Sequence, residues 1–481
     1  RCESIAGKAK GYGMEGVQID GNNILAVYDT IKGVKAYCME HRKPYLVECM
    51  TFRMRGHEEA SGTKYIPEEL WAAWKSKDPV SNFEQWLLQE NILTTTDIES
   101  IKTEFKKYIE AETEKGSAPV AVVPSTQEEV NDVYAERITF GGFTTAIIDN
   151  AAALEQARFN VREKRFVDAI SEGIYQSMLT HDNLILMGQD IAEYGGAFKV
   201  TEGLLNKFGK DRVRNTPLCE SAVIGAALGL SIEGFKSIVE MQFADFVTAG
   251  FNQVVNNLAK IHYRWGQNAD VVIRMPTGAG IGAGPFHSQS NEAWFVHTPG
   301  LKVVYPSSPM DAKGLLIAAV NDLNPVLFFE HKALYRSISG PVPEEDYEIP
   351  IGKARWVEEG EDISIITYGA GVHWALEYAA RHTDTSFDIL DLRTLLPLDY
   401  DAIRNSVSRT GRILILHEDT LTGGIGAEIS AWIQEHCFSL LDAPVMRCAS
   451  LDTPIPFNAE LEKNFLARSR LHRYVQQLIH Y

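Results

Sequence analysis

An α/β chain of mostly parallel sheets, with helices packed on both faces, is the architecture this sequence predicts, and three observations predict it. The apolar runs "LILMG" (184–188), "SIVEM" (237–241), "DVVIRM" (270–275), "LKVVYP" (301–306), "PVLFFE" (325–330), "DISIITYG" (362–369) and "ILILHED" (413–419) are short and do not alternate polar with apolar. A strand that is apolar on both faces is covered on both, as in a parallel sheet between helices. Helix-period segments separate several of these runs: in "FVDAISEGIYQSML", Phe166, Ile170, Ile174, Met178 and Leu179 are expected on one face. A length of 481 residues exceeds what one core supports and points to about three domains.

In chain order, residues 1–115 read as a first domain, in which "YLVECM" (45–50) is a strand. The later "DIESIKTEFKKYIEAE" is a helix, with Thr96 and Glu99 at capping-box spacing. Residues 116–163 turn rich in Pro, Ser, Gly and Glu, lose periodicity and read as a linker. A middle domain is expected over 164–340 and a C-terminal one over 341–481, divided near the Pro- and Glu-rich stretch 339–362. No repeat with a period of 20 to 50 residues is visible.

Composition excludes some functions. The apolar and charged fractions, 45% and 23%, are those of an ordinary globular protein. A formal net charge of −18 argues against sequence-independent nucleic-acid binding, which needs clustered Lys and Arg. Six scattered cysteines without a CxxC pair indicate neither a disulfide framework nor a zinc site, and fit a reducing, cytoplasmic compartment. No apolar run reaches 18 residues and no signal peptide is seen, so no membrane association is expected. The opening "RCESIAGKAKGYG" has no initiator Met and starts within a helical pattern, so an upstream segment is expected.

Five stretches are candidates for chemistry. In "NTPLCESAVIGAALGL" (215–230), Glu220 heads a small, apolar run that must be buried. A buried acid without a partner is unfavourable by several kcal/mol and tends to hold its proton. "GAGIGAGPFHSQS" (278–290) follows a strand and presents His287 from a glycine- and alanine-rich wall that a ligand could approach closely; the alternative is a packed crossover with a surface histidine. "TFRMRGHEEASG" (51–62) gathers Arg53, Arg55 and His57, which suit a carboxylate or phosphate, or form a solvated charged loop. The glycines of "MGQDIAEYGGAFKVTEG" (187–203), and those after His417 and Glu418, need mean no more than tight turns.

Taken together, "NTPLCE", "MQFADF", "GPFHSQSNEAWF", "NPVLFFEHKALYR", "LDLRTLLPLD" and "HEDTLTGG" resemble the beta subunit of the thiamin-diphosphate-dependent 2-oxo acid dehydrogenases, over roughly residues 164–481. "GYGMEGVQIDGNN", "RKPYLVECMTFRMRGH" and "DPVSNFEQWLLQENILT" resemble the C-terminal portion of the alpha subunit. The resemblance implies an alpha–beta fusion with a thiamin-diphosphate-binding fold and a transketolase C-terminal-like domain. It also implies oxidative decarboxylation of a 2-oxo acid, with transfer of the acyl group to the lipoyl group of a partner dihydrolipoyl acyltransferase.

By the same resemblance Glu220 would hydrogen-bond the aminopyrimidine ring of the cofactor, with Leu218, Gln242 and Phe246 lining its pocket. His287 would position the 2-oxo acid and assist acyl transfer, and His57 with Arg53 would lie at the diphosphate. Asp322 and Asn324 would hold a monovalent cation such as potassium. The family's magnesium and diphosphate motif is expected upstream of Arg1. Two positions depart from the family: Glu58 stands where some relatives have a serine, and Gln189 where an acid is usual. "NTPLCE", "RTLLPLDYDAI" and "DTPIPF" look closer to the branched-chain enzyme, with 3-methyl-2-oxobutanoate as substrate, than to pyruvate dehydrogenase. A transketolase-like enzyme and an inactive assembly module are the alternatives. Since the cofactor lies between subunits in this family, a dimer of fused chains is expected.

Overall fold

The structure is a computed structural model and describes residues 3–56, 58, 62–64, 66–117, 123–136, 146–148 and 159–481. It divides into two compact units, Arg1–Val123 and Pro124–Tyr481.

In the first unit, strands Glu15–Asp20 and Tyr45–Met50 pair in parallel, joined by the crossover helix Ile24–His41 that such pairing requires. The Asn23 side chain starts that helix by accepting from the Leu25 and Ala26 amides. Helices Glu68–Lys75, Pro79–Gln89 and Thr95–Ser117 follow. The expected cap at Thr96 and Glu99 is replaced by one two residues earlier. Thr94 Oγ1 accepts from the Asp97 amide at 3.2 Å and Asp97 Oδ2 accepts from the Thr94 amide at 2.8 Å, because the helix already begins at Thr95.

The second unit holds two main sheets. The first has seven strands in the order Thr394–Leu396, Lys302–Val304, Val326–His331, Val271–Thr277, Lys236–Glu240, Leu184–Gly188, Val213–Asn215, with only the first antiparallel to its neighbour. The second has five, Arg355–Glu358, Phe387–Asp391, Ile363–Thr367, Ile413–Thr420 and Met446–Ser450, again with one antiparallel edge. Successive side chains of each strand enter opposite apolar layers: Ile185, Met187, Val239 and Ile273 on one face, Leu184, Leu186, Ile238 and Val272 on the other. This double burial is why the strand sequences do not alternate.

Two expectations change here. Phe166, Ile170, Ile174 and Met178 are buried as expected, but Leu179 is 51% exposed. It stands about 140° around the helix from Ile174 and so points away from the core. The stretch read as a linker contains the helix Thr126–Asn131 and the strands Ala146–Ile147 and Val161–Arg165, which pair with Tyr347–Glu348 and Ser339–Pro343. The strand partners lie 174–182 and 201 residues away, so no local signal announced them. Among the described residues no helix is long and apolar enough to cross a membrane.

Candidate active site

Parallel strands place all their carboxyl ends on one edge of a sheet, and ligands of open α/β sheets bind there. Four neighbouring strands of the seven-stranded sheet end in polar side chains at that edge. Leu184–Gly188 leads into Gln189 and Asp190, Lys236–Glu240 into Gln242 and Phe246, Val271–Thr277 into the glycine-rich strap and His287, and Val326–His331 into Lys332. Glu220 comes from just beyond the outer strand Val213–Asn215, as the first residue of the helix Glu220–Ile232.

Gln189 Nε2 donates to Glu220 Oε1 at 3.1 Å, and the other amide atom, Gln189 Oε1, is buried with no partner. The expected burial of Glu220 is only partly realised: it is half-buried at the first position of its helix, while Ala222, Ala226 and Gly229 are exposed on the opposite side of that helix. A carboxylate at a helix N-terminus is favoured by the aligned peptide dipoles. Gln242 Nε2 donates to Asp190 Oδ2 at 3.4 Å, and Asp190 holds a φ of 56°, a conformation sparsely used outside glycine. The His287 ring stands edge-on to Phe243 and Phe246, with centroids 4.8 and 5.5 Å away. Lys332 Nζ lies 5.7 Å from the Phe243 centroid and donates to the Gly278 carbonyl at 2.8 Å. Burial lowers the Lys332 ammonium to about 8, against the pull of Asp245, Glu418 and Glu462. Leu218 is 81% exposed, an apolar side chain standing bare near this edge.

Behind the strap lies a cluster of acids. Asp245 Oδ1 accepts from the Gln289 amide at 3.3 Å and from its side chain at 2.9 Å, while Asp245 Oδ2 is buried without a partner. Glu418 and Asp419 line a cavity of about 270 Å³ with Gln289, Ser290 and Trp294. Burial opposes the charge of Glu418, but His331 at 2.7 Å, the Ala279 amide and Lys332 outweigh it and hold this carboxyl below its ordinary value. Glu292, which accepts from Tyr368 at 2.7 Å, is pushed up to about 8 by burial and by Asp419 and Glu418. Burial likewise raises Asp419 to about 7.

These raised values have a defined sign. A group that keeps its proton in the folded state and loses it on unfolding contributes stability at low pH that disappears as pH rises through the folded value. For Glu292 the loss runs from its ordinary value of 4.5 to about 8, at up to about 1.4 kcal/mol per pH unit. We therefore expect the unfolding midpoint to fall between pH 5 and pH 8 less steeply in Glu292→Gln than in the native chain. Parallel pH profiles of the two in calorimetry would show Glu292 to be ionised.

Of the residues expected from sequence, Glu220, Gln242, Phe246 and His287 come from elements that end at one sheet edge. Arg53 is exposed in the first unit, in a shallow concavity with Phe52, Ile66, Pro67 and Leu70, and His57 lies outside the described residues. Asp322 and Asn324 are already engaged. Asp322 Oδ2 pairs with Lys302 at 2.6 Å, Asp322 Oδ1 accepts from the Asn324 amide and side chain, and Asn324 exchanges two hydrogen bonds with the Ala135 backbone. Among the described residues no group of three or more His, Cys, Asp and Glu could hold a metal ion. Sequence reasoning missed Asp245, Lys332 and Glu462. The first two stand within or beside quoted motifs, while Glu462 is 175 residues from His287 and carried no signal.

Three family models match the chain: "Dehydrogenase E1 component" over residues 1–122, "Transketolase, pyrimidine binding domain" over 163–337 and "Transketolase, C-terminal domain" over 352–470. The 2-oxoisovalerate dehydrogenase subunit beta of Bacillus subtilis (strain 168) is 47% identical over 306 residues, 63% of this chain and 94% of the relative. The mitochondrial subunit of the same name from Dictyostelium discoideum is 46% identical over 66% of this chain and 86% of its own. The pyruvate dehydrogenase E1 component subunit beta of Bacillus subtilis (strain 168) is 43% identical over 61% and 91%. Among solved structures, a split gene transketolase in the form of an inactive beta4 tetramer superposes with a TM-score of 0.52 at 22% identity, covering 65% of this chain and 98% of that one.

Proposed function

Since this chain belongs to the E1 family of thiamin-diphosphate-dependent 2-oxo acid dehydrogenases, we propose that it decarboxylates a branched-chain 2-oxo acid, 3-methyl-2-oxobutanoate. The acyl group then passes to the lipoyl group of a partner acyltransferase. The observation that carries this reading is the hydrogen bond from Gln189 to Glu220 at the carboxyl edge of the sheet, the edge to which the strands before His287 and its two phenylalanines also run.

The residues present fit the pyrimidine half of the cofactor. Gln189 Oε1 is buried and unsatisfied, Leu218 offers bare apolar surface, and Phe246 and Gln242 supply one aromatic and one amide side chain. When bound, thiamin diphosphate supplies the electron sink that lets the carboxyl group leave as carbon dioxide. Glu220 would hold and return a proton at the oxygen that Gln189 leaves unengaged. Because Gln189 is neutral, it orients that carboxylate by donating an N–H, and it cannot relay a proton as the acid usual in the family would.

His287 would orient the 2-oxo acid and serve the transfer of the acyl group, its ring held by the edges of Phe243 and Phe246. The apolar ring edges and the buried Lys332 limit water at that place. Arg53 and His57 are proposed for the diphosphate, together with magnesium. The bare Ala222, Ala226 and Gly229 side of the Glu220 helix supports assembly into at least a dimer.

The substrate choice leans on identities of 47% to a branched-chain relative and 43% to a pyruvate relative. One methylene in an apolar pocket discriminates by only ~1–3 kcal/mol, so the ratio of the two rates is the informative quantity. We expect kcat/KM in dye-coupled oxidation to be about tenfold or more higher for 3-methyl-2-oxobutanoate than for pyruvate. A reversed ratio would assign pyruvate instead.

A further inference from the structure

We infer that Glu462, in the C-terminal domain, is a positioning residue for His287: it fixes the glycine-rich strap that presents the imidazole. This inference rests on the function proposed for His287. The strap begins at Gly278, and Gly278, Gly280, Gly282 and Gly284 have φ values of 89°, 90°, 71° and 72°. Such a segment has much backbone freedom to lose, and something must remove it before one imidazole can be placed reproducibly.

The holds on the strap are few. At its start, Glu418 Oε1 accepts from the Ala279 amide at 2.6 Å, and Lys332 donates to the Gly278 carbonyl at 2.8 Å. At its end, Asp245 holds Gln289 by the amide and side chain, and Thr277 Oγ1 donates to the Gln289 carbonyl at 2.7 Å. The middle depends on Glu462. Its Oε1 accepts from the Gly280 amide at 2.9 Å, and both of its oxygens accept from the Gly282 amide, at 3.3 and 3.2 Å. Successive backbone N–H groups closing on one carboxylate form an anion nest, here filled by the chain itself.

Glu462 is 5% exposed and stands on the short helix Ala459–Phe465. A buried carboxylate is retained only where its lone pairs are met, and these amides meet them. Between the nest and His287 the chain passes Gly284, which packs against the Phe457 ring, and makes the turn in which the His287 amide donates to the Gly284 carbonyl at 3.4 Å, so a displacement of Gly282 is passed along this short stretch to the imidazole.

The test is a double-mutant cycle on the full-length holoenzyme, with Glu462→Ala made alone and together with His287→Ala, and Glu462→Gln as a variant that keeps the volume. Oxidation of 3-methyl-2-oxobutanoate and amide hydrogen exchange of residues 279–282 are both measured. Glu462→Ala is expected to lower kcat/KM about tenfold with His287 present and less than twofold with His287 removed, since a residue that acts through another loses its effect when that one is gone. Exchange of the 280 and 282 amides should quicken in Glu462→Ala and less in Glu462→Gln. Equal losses in both backgrounds would make Glu462 merely structural and overturn the inference, as would unchanged exchange or unchanged kinetics. A native holoenzyme inactive on every 2-oxo acid would overturn the proposed function and this role with it, while the exchange rates would still report whether the carboxylate holds the strap.

Discussion

Glu220→Ala is expected to lower thiamin-diphosphate-dependent decarboxylation by about a thousandfold, the scale of a lost proton-transfer group, while shifting the unfolding midpoint by no more than a few degrees. The two effects separate because Glu220 is half-buried at the start of its helix, where its contribution to the fold is a favourable charge–dipole contact of ~0.3–1 kcal/mol. Among the described residues its side-chain partner is Gln189, whose own amide carbonyl is already unsatisfied. Glu220→Gln keeps the shape and an acceptor but cannot exchange a proton, so it should be nearly as inactive as Glu220→Ala. If Glu220→Gln retained most of the rate, the carboxylate would be a binding group only. Loss of cooperative unfolding in Glu220→Ala would make it structural.

The second large effect concerns stability. Arg274 is fully buried beneath the site, with Nε and Nη2 donating to the two oxygens of Glu330 at 2.7 Å each and Nη1 paired with Glu240. Tyr335 completes the group by donating to Glu330 at 2.6 Å. Burial pushes the Glu240 carboxyl up, and the arginine charge opposes that push. Arg274→Met leaves two carboxylates close together and unpaired, and should destabilise the second unit by about 3–5 kcal/mol, seen as a lower urea midpoint. Adding Glu240→Gln should restore part of the loss, because it removes one of the stranded charges. A midpoint unchanged in Arg274→Met would mean that the cluster is not a fixed part of the folded state.

Much of this architecture was legible because double burial writes itself into composition. "LILMG" and "PVLFFE" are apolar on both faces, and both are central strands. Glu220 and His287 stood out because each is a polar group at the edge of an apolar or glycine-rich run. What sequence could not give depends on distant partners. The stretch before Val161 looked like a linker because the strands that pair with it begin at Ser339. The ties of Asp322 to Lys302 and of Asn324 to Ala135 were hidden for the same reason, since neither partner adjoins them in the sequence. Glu462 belongs to the same class: an acid in a short C-terminal helix, with nothing in its neighbourhood to show that it closes on Gly280 and Gly282.

The measurement that tests the central claim most directly is the rate of dye reduction by the full-length protein with 3-methyl-2-oxobutanoate and magnesium, with and without thiamin diphosphate. The account predicts turnover that requires the cofactor and disappears in Glu220→Gln. Turnover that ignores the cofactor, or none on any 2-oxo acid with the cofactor bound, would contradict it.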